Sequence, residues 1–195
     1  MSTLSIQNLS TRNLSDVTFD VHQGECVCIH GESGSGKTLL LRAIADLDPS
    51  EGSVLLDRQE RNTISAHDWR RQVTFLPAES HWWHESVSAH FTSKVPQFKD
   101  LDLNPEIIDW QINRLSTGER QRLSLLRALD HQPTFLLMDE TTANLDEENT
   151  LRVEKFIRQK LEQGLGIIWV SHSQQQRLRM ADHAWKIHDN TLIEE

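Results

Sequence analysis

The chain has 195 residues, of which 37% are hydrophobic and 25% are charged, the composition of an ordinary soluble globular protein. Its formal net charge of −9 argues against a surface built for nucleic-acid phosphates, although a local basic patch is compatible with it. Because the sequence has neither an amino-terminal signal segment nor an apolar run of about 18 residues, it predicts a cytoplasmic protein that does not span a membrane.

Strands and helices alternate along the chain. Alternating apolar and polar residues predict half-buried strands near the amino terminus, in "LSIQNL" and "LSDVTFDV". Short apolar runs predict further strands in "CVCIHG", "GSVLLD", "QVTFLP", "TFLLMDE" and "GIIWVSH". Apolar residues at helical spacing predict helices in "KTLLLRAIADL", "GERQRLSLLRALD", "EENTLRVEKFIRQKLEQG" and "QQQRLRMAD". This alternation predicts a parallel sheet covered on both faces, with an added antiparallel piece at the front.

The remaining stretches are less regular. Residues 80–114 are polar and are interrupted by Pro96 and Pro105, which predicts short helices such as one over 105–113. The segment "HAWKIHDNTLIEE" predicts a final hairpin around its Asp-Asn pair.

The two cysteines, Cys26 and Cys28, lie two residues apart in a predicted strand. This spacing points both side chains to one face, where they are expected to be small core residues. A metal or redox role for the pair is the alternative interpretation.

The segment "GESGSGKT" fits the phosphate-loop pattern G-x-x-x-x-G-K-[ST] and stands between a predicted strand and a predicted helix. Its glycines let backbone N–H groups turn toward phosphate oxygens, and the helix amino terminus adds partial positive charge. Lys37 is expected at the β and γ phosphates, and the Thr38 hydroxyl at Mg²⁺. A Gly/Ser turn with a chance lysine is the alternative. The predicted ATP-binding residues are Gly31, Glu32, Ser33, Gly34, Ser35, Gly36, Lys37 and Thr38.

Two adjacent acids, Asp139 and Glu140, end the apolar strand "TFLLMDE". Carboxylates are costly at such a position unless a metal ion or hydrogen bonds satisfy them. Asp139 suits the coordination shell of Mg²⁺, and Glu140 suits polarisation of an attacking water as the catalytic base. A helix cap at the exit of the strand is the alternative role.

Three further motifs follow the order found in ATP-binding cassette (ABC) proteins. "LSTGE", residues 115–119, resembles the family's LSGGQ signature, and Ser116 with Glu119 also fits a helix capping box. "TTANLD", residues 141–146, is similar to the D-loop, and His172 stands where the family has its switch histidine. A lone histidine after a strand is more often structural, so the assignment rests on order and spacing.

The resemblance covers essentially the whole chain and implies a single ABC ATPase domain over residues 1–195. Its fold class would be α/β, a P-loop NTPase (RecA-like) core with an antiparallel β subdomain and a short helical subdomain over approximately 80–130. Two cassettes of the family pair head to tail around ATP and Mg²⁺. The partner's ATP would therefore be contacted by Ser116, Thr117, Gly118 and Glu119. The chain carries one phosphate loop and one signature, so it would need a second copy or a related chain.

The sequence departs from the family at two positions. Ala78 stands where a glutamine usually senses Mg²⁺, water and the membrane partner, and alanine can do none of this. Glu79 could supply a carboxylate instead, or serve in a salt bridge or cap. The adenine-stacking aromatic expected near residues 10–13 is also missing, and Arg12 could stack its guanidinium there or stay exposed.

The neighbouring pair Trp82 and Trp83 lies at the edge of the predicted helical subdomain. In transport cassettes this region receives the membrane permease, so the tryptophans are interpreted as a docking surface. Packing inside a small subdomain is the alternative.

The leading functional hypothesis is the ATP-hydrolysing subunit of an ABC transporter with a separate membrane permease and no nucleic-acid partner. Such a subunit would lie in the cytoplasm, on the inner face of the membrane. The alternatives are a soluble ABC ATPase without transport function and a nucleotide-dependent binding module with little turnover.

Overall fold

The structure is a computed structural model that describes residues 1–92 and 97–195, so the predicted interruption at Pro96 lies outside the described residues. It contains two sheets with helices packed around them. The strands are β1 (Thr3–Thr11), β2 (Leu14–His22), β3 (Cys26–Gly31), β4 (Glu51–Leu56), β5 (Gln59–Glu60), β6 (Val73–Leu76), β7 (Phe135–Asp139), β8 (Gly166–Val170), β9 (His183–His188) and β10 (Thr191–Glu194). The α-helices are α1 (Lys37–Ile44), α2 (Ala66–Gln72), α3 (Thr117–Leu129), α4 (Glu147–Glu162) and α5 (Gln174–Met180).

The central sheet has six strands in the order β10-β9-β3-β8-β7-β6, parallel except for the terminal hairpin of β9 and β10. A second sheet of four antiparallel strands has the order β2-β1-β4-β5. The predicted parallel sheet with both faces covered and the predicted antiparallel addition are therefore both confirmed. The hairpin turns at Asp189 and Asn190, whose positive φ angles of 47° and 60° suit a tight two-residue turn.

The hydrophobic core lies on both faces of the central sheet. Val27 and Ile29 pack into a cluster with α1 and the antiparallel sheet. Cys26 and Cys28 point the other way, into a cluster formed with α3 and α4. Both cysteines are fully buried free thiols, as the strand spacing predicted. A hydrogen bond with Cys28 and burial raise the pKa of the Cys26 thiol, which disfavours a reactive thiolate.

The described residues of 80–114 form short 3₁₀ helices around the second cluster, in agreement with the short helices predicted there. The described ones are Ser88–His90, Phe98–Leu101, Pro105–Asp109 and Ile112–Arg114. The helix predicted over 105–113 is therefore wrong in its length, since Trp110 and Gln111 are extended. The N–H of Val87 donates to the Trp110 carbonyl at 2.9 Å, and the N–H of Ile112 donates to the Glu85 carbonyl at 2.8 Å. These bonds to another segment replace the helical bonds.

Helix α2 was missed by the apolar pattern. Ser65 caps it by accepting a hydrogen bond from the N–H of Asp68 at 3.1 Å. Trp69 is completely buried in the first cluster and donates through its indole N–H to the Ile44 carbonyl at 2.9 Å. No helix in the two described ranges is long and apolar enough to cross a membrane.

Candidate nucleotide-binding and hydrolysis site

The phosphate-loop segment connects the end of β3 to the start of α1, as predicted. Gly36 immediately precedes α1 with a left-handed φ of 104°. A Cβ atom there would lie 3.1 Å from Cβ of Asn13 and 3.3 Å from Cγ of Leu14. The left-handed backbone angle favours glycine, and a Cβ atom would also force Asn13 and Leu14 to shift slightly.

The loop borders an open cleft of about 280 Å³. The residues that line this cleft are Asn13, Ser33, Gly34, Gly36, Lys37, Thr38, Leu39 and Glu140. Asn13 was missed by the sequence analysis, where an asparagine in a turn carries no distinctive signal. Its side-chain amide donates to the Gly34 carbonyl at 3.1 Å and so attaches the antiparallel sheet to the loop. Arg12, beside it, is exposed.

Lys37 is nearly buried, with 6% of its surface exposed. Its ammonium group donates to the carbonyls of Gly31 at 3.0 Å and Glu32 at 2.8 Å. Burial lowers the pKa of Lys37, while Glu140 and Asp139 oppose that shift. The loop thus holds a cation inside the curve of its own backbone, where an anion can reach it.

Thr38 and Asp139 form the group that could hold a divalent cation. The Thr38 hydroxyl donates to Oδ2 of Asp139 at 2.8 Å. Asp139 is almost completely buried at the end of β7, and its Oδ1 has no hydrogen-bond partner among the described residues. Burial is the main cause that raises the pKa of this carboxyl, and Glu140 adds repulsion. A buried oxygen without a donor beside a hydroxyl fits Mg²⁺, which prefers oxygen ligands.

Glu140 and His172 meet at the adjacent ends of β7 and β8. Oε1 of Glu140 lies 2.7 Å from Nε2 of His172. The two strands pair in parallel up to Asp139 and Val170, and the N–H of Glu140 donates to the Val170 carbonyl at 3.0 Å. Glu140 has a φ of 48°, an uncommon conformation for a residue other than glycine. The structure therefore brings both predicted catalytic side chains together beside the phosphate loop.

The signature residues lie at the start of α3. Ser116 is the N-cap and forms a complete capping box with Glu119. The Ser116 hydroxyl donates to the Glu119 carboxylate at 2.7 Å and accepts from the Glu119 N–H at 3.2 Å. Thr117 and Gly118 form the first turn of the helix. None of residues 116–119 lines the phosphate-loop cleft.

The expected glutamine position lies just beyond β6. Ala78 is half-buried there and has no polar side-chain atom, while Glu79 is exposed.

The two tryptophans of residues 82 and 83 have different environments. Trp82 is half-buried and packs against the second core cluster, whereas Trp83 is 67% exposed. The Arg127 guanidinium lies over both rings, 4.4 Å from the Trp82 centroid and 4.7 Å from the Trp83 centroid. Nε2 of His90 accepts hydrogen bonds from the N–H groups of Trp83 and His84, each at 3.1 Å. Trp82 thus has the packed environment of the alternative interpretation, whereas Trp83 is exposed and its docking role stays a prediction.

Comparisons with known proteins find a matching family and similar chains. The family model described as "ABC transporter" matches residues 14–143. The phosphate import ATP-binding protein PstB 2 of Natronomonas pharaonis is 32% identical over 94% of this chain and 74% of the relative. The lipopolysaccharide export system ATP-binding protein LptB of Escherichia coli is 27% identical over 99% of this chain and 90% of the relative.

A solved structure also has the same fold, that of a bacterial Atm1-family ABC exporter with ATP bound. It superimposes with a TM-score of 0.84 at 21% identity, over 98% of this chain and 38% of the exporter chain. The likeness confirms the predicted α/β fold class, and the chain spans well under half of that longer protein.

Proposed function

The chain belongs to the ABC transporter family, and we propose that it is the ATP-hydrolysing subunit of a transporter whose permease is a separate membrane protein. One observation carries the proposal. Lys37, the Thr38–Asp139 pair and the Glu140–His172 pair converge at one end of the central sheet. This arrangement combines a phosphate-binding cation, candidate metal ligands and a carboxylate base.

The proposed reaction is the attack of water on the γ-phosphate of ATP, which breaks the bond from its phosphorus to the oxygen shared with the β-phosphate and releases ADP and inorganic phosphate. Backbone N–H groups of residues 31–38 and the Lys37 ammonium bind the phosphates, which requires Lys37 to exchange its carbonyl partners for phosphate oxygens. Thr38 and Asp139 would hold Mg²⁺, which supplies neutralisation of phosphate charge when it is bound. Glu140 accepts the proton of the attacking water, and His172 orients the Glu140 carboxylate from 2.7 Å away.

We propose further that the complete site forms between two cassettes arranged head to tail. The cleft at the phosphate loop is bordered by the loop itself, the start of α1, Asn13 and Glu140, without any of residues 116–119. The first turn of α3 presents a helix amino terminus, which suits a phosphate of the partner's ATP. Ser116 must then release its hydroxyl from Glu119 to donate to that phosphate.

The permease is proposed to dock on the surface formed by Trp83 and Arg127. Trp83 is exposed and its ring is held by stacking against Arg127, an arrangement typical of aromatic anchors at interfaces. The surface belongs to a proposed helical subdomain over approximately 80–130 within a single domain, 1–195. Bound there, the chain would lie in the cytoplasm at the inner face of the membrane.

A second candidate function is nucleotide-dependent binding with little turnover. Ala78 favours it, because its methyl group can neither coordinate Mg²⁺ nor form a hydrogen bond with water. Measurement of steady-state ATP hydrolysis by the purified chain separates the two candidates.

Two variants test the head-to-tail arrangement. Lys37→Ala removes the phosphate contact, and Ser116→Arg blocks the signature. Each variant alone is expected to be inactive, whereas their mixture should regain activity, since a mixed pair retains one site with both Lys37 and Ser116. Failure of the mixture to regain activity, although the two variants associate, would contradict the arrangement. Co-purification with a candidate permease, compared between the parent and Trp83→Ala, tests the docking surface.

A further inference from the structure

A buried polar network lies behind the Glu140–His172 pair. Its centre is Gln176 on α5, which is 2% exposed. Oε1 of Gln176 accepts a hydrogen bond from the Ser171 hydroxyl at 2.7 Å. Nε2 of the same amide donates to Oγ1 of Thr142 at 3.0 Å and to Oε1 of Glu154 at 3.1 Å. One carboxamide therefore connects residues from α4 and from the segments after β7 and β8.

Glu154 holds this carboxamide in one orientation. It lies on α4, is 4% exposed, and receives two hydrogen bonds from Arg179 on α5, at 2.6 and 2.7 Å. Both carboxylate oxygens accept hydrogen bonds from the Arg179 guanidinium, and a carboxylate has no hydrogen to donate. The amide must therefore turn its nitrogen toward Glu154, which leaves its oxygen for Ser171.

The network contacts the two segments that carry Glu140 and His172. Thr142 stands two residues after Glu140, and Ser171 immediately precedes His172. Arg177, also on α5, donates to the carbonyls of Ser171 at 3.2 Å and His172 at 3.3 Å. The two segments border a common cleft of about 470 Å³, which Gln176 also lines.

We propose that Gln176 is a positioning residue for ATP hydrolysis. Its carboxamide links the segment that follows Glu140 to the segment that precedes His172, and so sets the 2.7 Å contact between the two side chains. An amide is suited to this role because it has a donor and an acceptor on one rigid head. The inference rests on the proposed function, since it concerns the same reaction.

The first test replaces Gln176 with leucine, which has a similar volume and no polar atoms. A displaced catalytic contact lowers the rate by up to about 100-fold, and kcat should fall on that scale. ATP affinity should stay near that of the parent, because Lys37 and Thr38 lie outside the network. Gln174→Leu is the matched control: it is an exposed glutamine on the same helix, and its kcat should be unchanged.

Combining Gln176→Leu with Glu140→Gln distinguishes a positioning effect on Glu140 from an unspecific disturbance of the structure. If Gln176 acts through Glu140, then Gln176→Leu should lower kcat in the parent and leave the already reduced kcat of Glu140→Gln unchanged. An equal further loss in both backgrounds would overturn the proposal. Parent-like kcat in Gln176→Leu, with Glu140→Gln impaired, would overturn this inference alone. Parent-like kcat in Glu140→Gln would instead refute the proposed function.

A charge exchange keeps the test decisive if Gln176→Leu does not fold. Gln176→Glu brings a second carboxylate against Glu154 and removes the amide donor, so kcat should fall. The double variant Glu154→Gln/Gln176→Glu restores one donor and one carboxylate between the two positions, and Arg179 retains an oxygen partner. It should recover most of the lost kcat. If both variants melt at the parent temperature and the double variant recovers no kcat, the proposal is wrong.

Discussion

The carboxylate of Glu140 lies 2.7 Å from Nε2 of His172, at the adjacent ends of two parallel strands. The two residues are 32 positions apart in the sequence, and the pairing of Asp139 with Val170 brings them together. This contact is the basis for the proposal that His172 orients Glu140 as a general base.

Glu140→Gln should bind ATP normally and hydrolyse it about 10²–10⁴-fold more slowly, because the amide cannot accept the proton of water. ATP-bound dimers should then accumulate in size-exclusion chromatography. Glu162→Gln, an exposed glutamate at the end of α4, is the control for a change of one charge. Hydrolysis by Glu140→Gln at the parent rate would contradict its assignment as the base.

Lys37→Ala should weaken ATP binding about tenfold or more, because charge-assisted hydrogen bonds contribute roughly 1.5–3 kcal/mol each. Nucleotide titration measures the effect. Lys155→Ala removes an exposed lysine from α4 and should leave the affinity unchanged. Equal affinities for the parent and Lys37→Ala would refute the assignment of the phosphate loop.

Single alanine variants of the two tryptophans should behave differently. Trp82→Ala should lower the free energy of unfolding by about 2 kcal/mol, less than full loss of a buried tryptophan, because the ring is half-buried. Trp83→Ala should change stability by only about 0.5 kcal/mol, since 67% of the residue is exposed. Denaturant titration of each variant measures both values.

Trp83→Ala also distinguishes a role of Trp83 in folding from a role in docking. Trp83→Ala should weaken permease binding by about 2 kcal/mol, the scale of an interface hot spot. A large loss of stability in Trp83→Ala without any partner would identify it as a folding residue instead of a docking residue.

Acid should destabilise the segment around His90. Burial lowers the pKa of His90, and the Arg127 and His84 charges act in the same direction, while its bonds to the Ser86 and Val87 carbonyls oppose the shift. Between the ordinary histidine pKa of about 6.5 and the lowered value, the unfolded chain binds a proton that the native chain does not. Stability contributed by neutral His90 is therefore present above that window and is lost as the pH falls through it.

Protonation of Nε2 would also remove the acceptor for the Trp83 and His84 N–H groups. The free energy of unfolding of the parent should fall between pH 7 and pH 5 more steeply than that of His90→Gln, which cannot titrate. Identical slopes for the two proteins would exclude His90 as a contributor.

Local patterns determined much of the structure. The phosphate loop is contained in eight consecutive residues, and its position between a strand and a helix follows from the flanking apolar patterns. The capping box of Ser116 and Glu119 forms within one helical turn, so residue types three positions apart were enough to predict it. Helix α2 carried a comparable local signal in Ser65 and Asp68, although the apolar pattern did not reveal it.

Tertiary structure decided the features that depend on distant partners. The segment over 105–113 stops being helical at Trp110, since its backbone bonds to Glu85 and Val87. Trp82 packs against the second core cluster while Trp83 remains exposed, and Arg127 and His90, which lie on other elements, contact both rings. Gln176 reaches Thr142 and Glu154, which are 34 and 22 residues away, only because α4, α5 and the strand ends pack together. Sequence patterns report interactions within one or two helical turns. The contacts above instead depend on which strands and helices are neighbours in the folded sheet, and those neighbours are distant in the sequence.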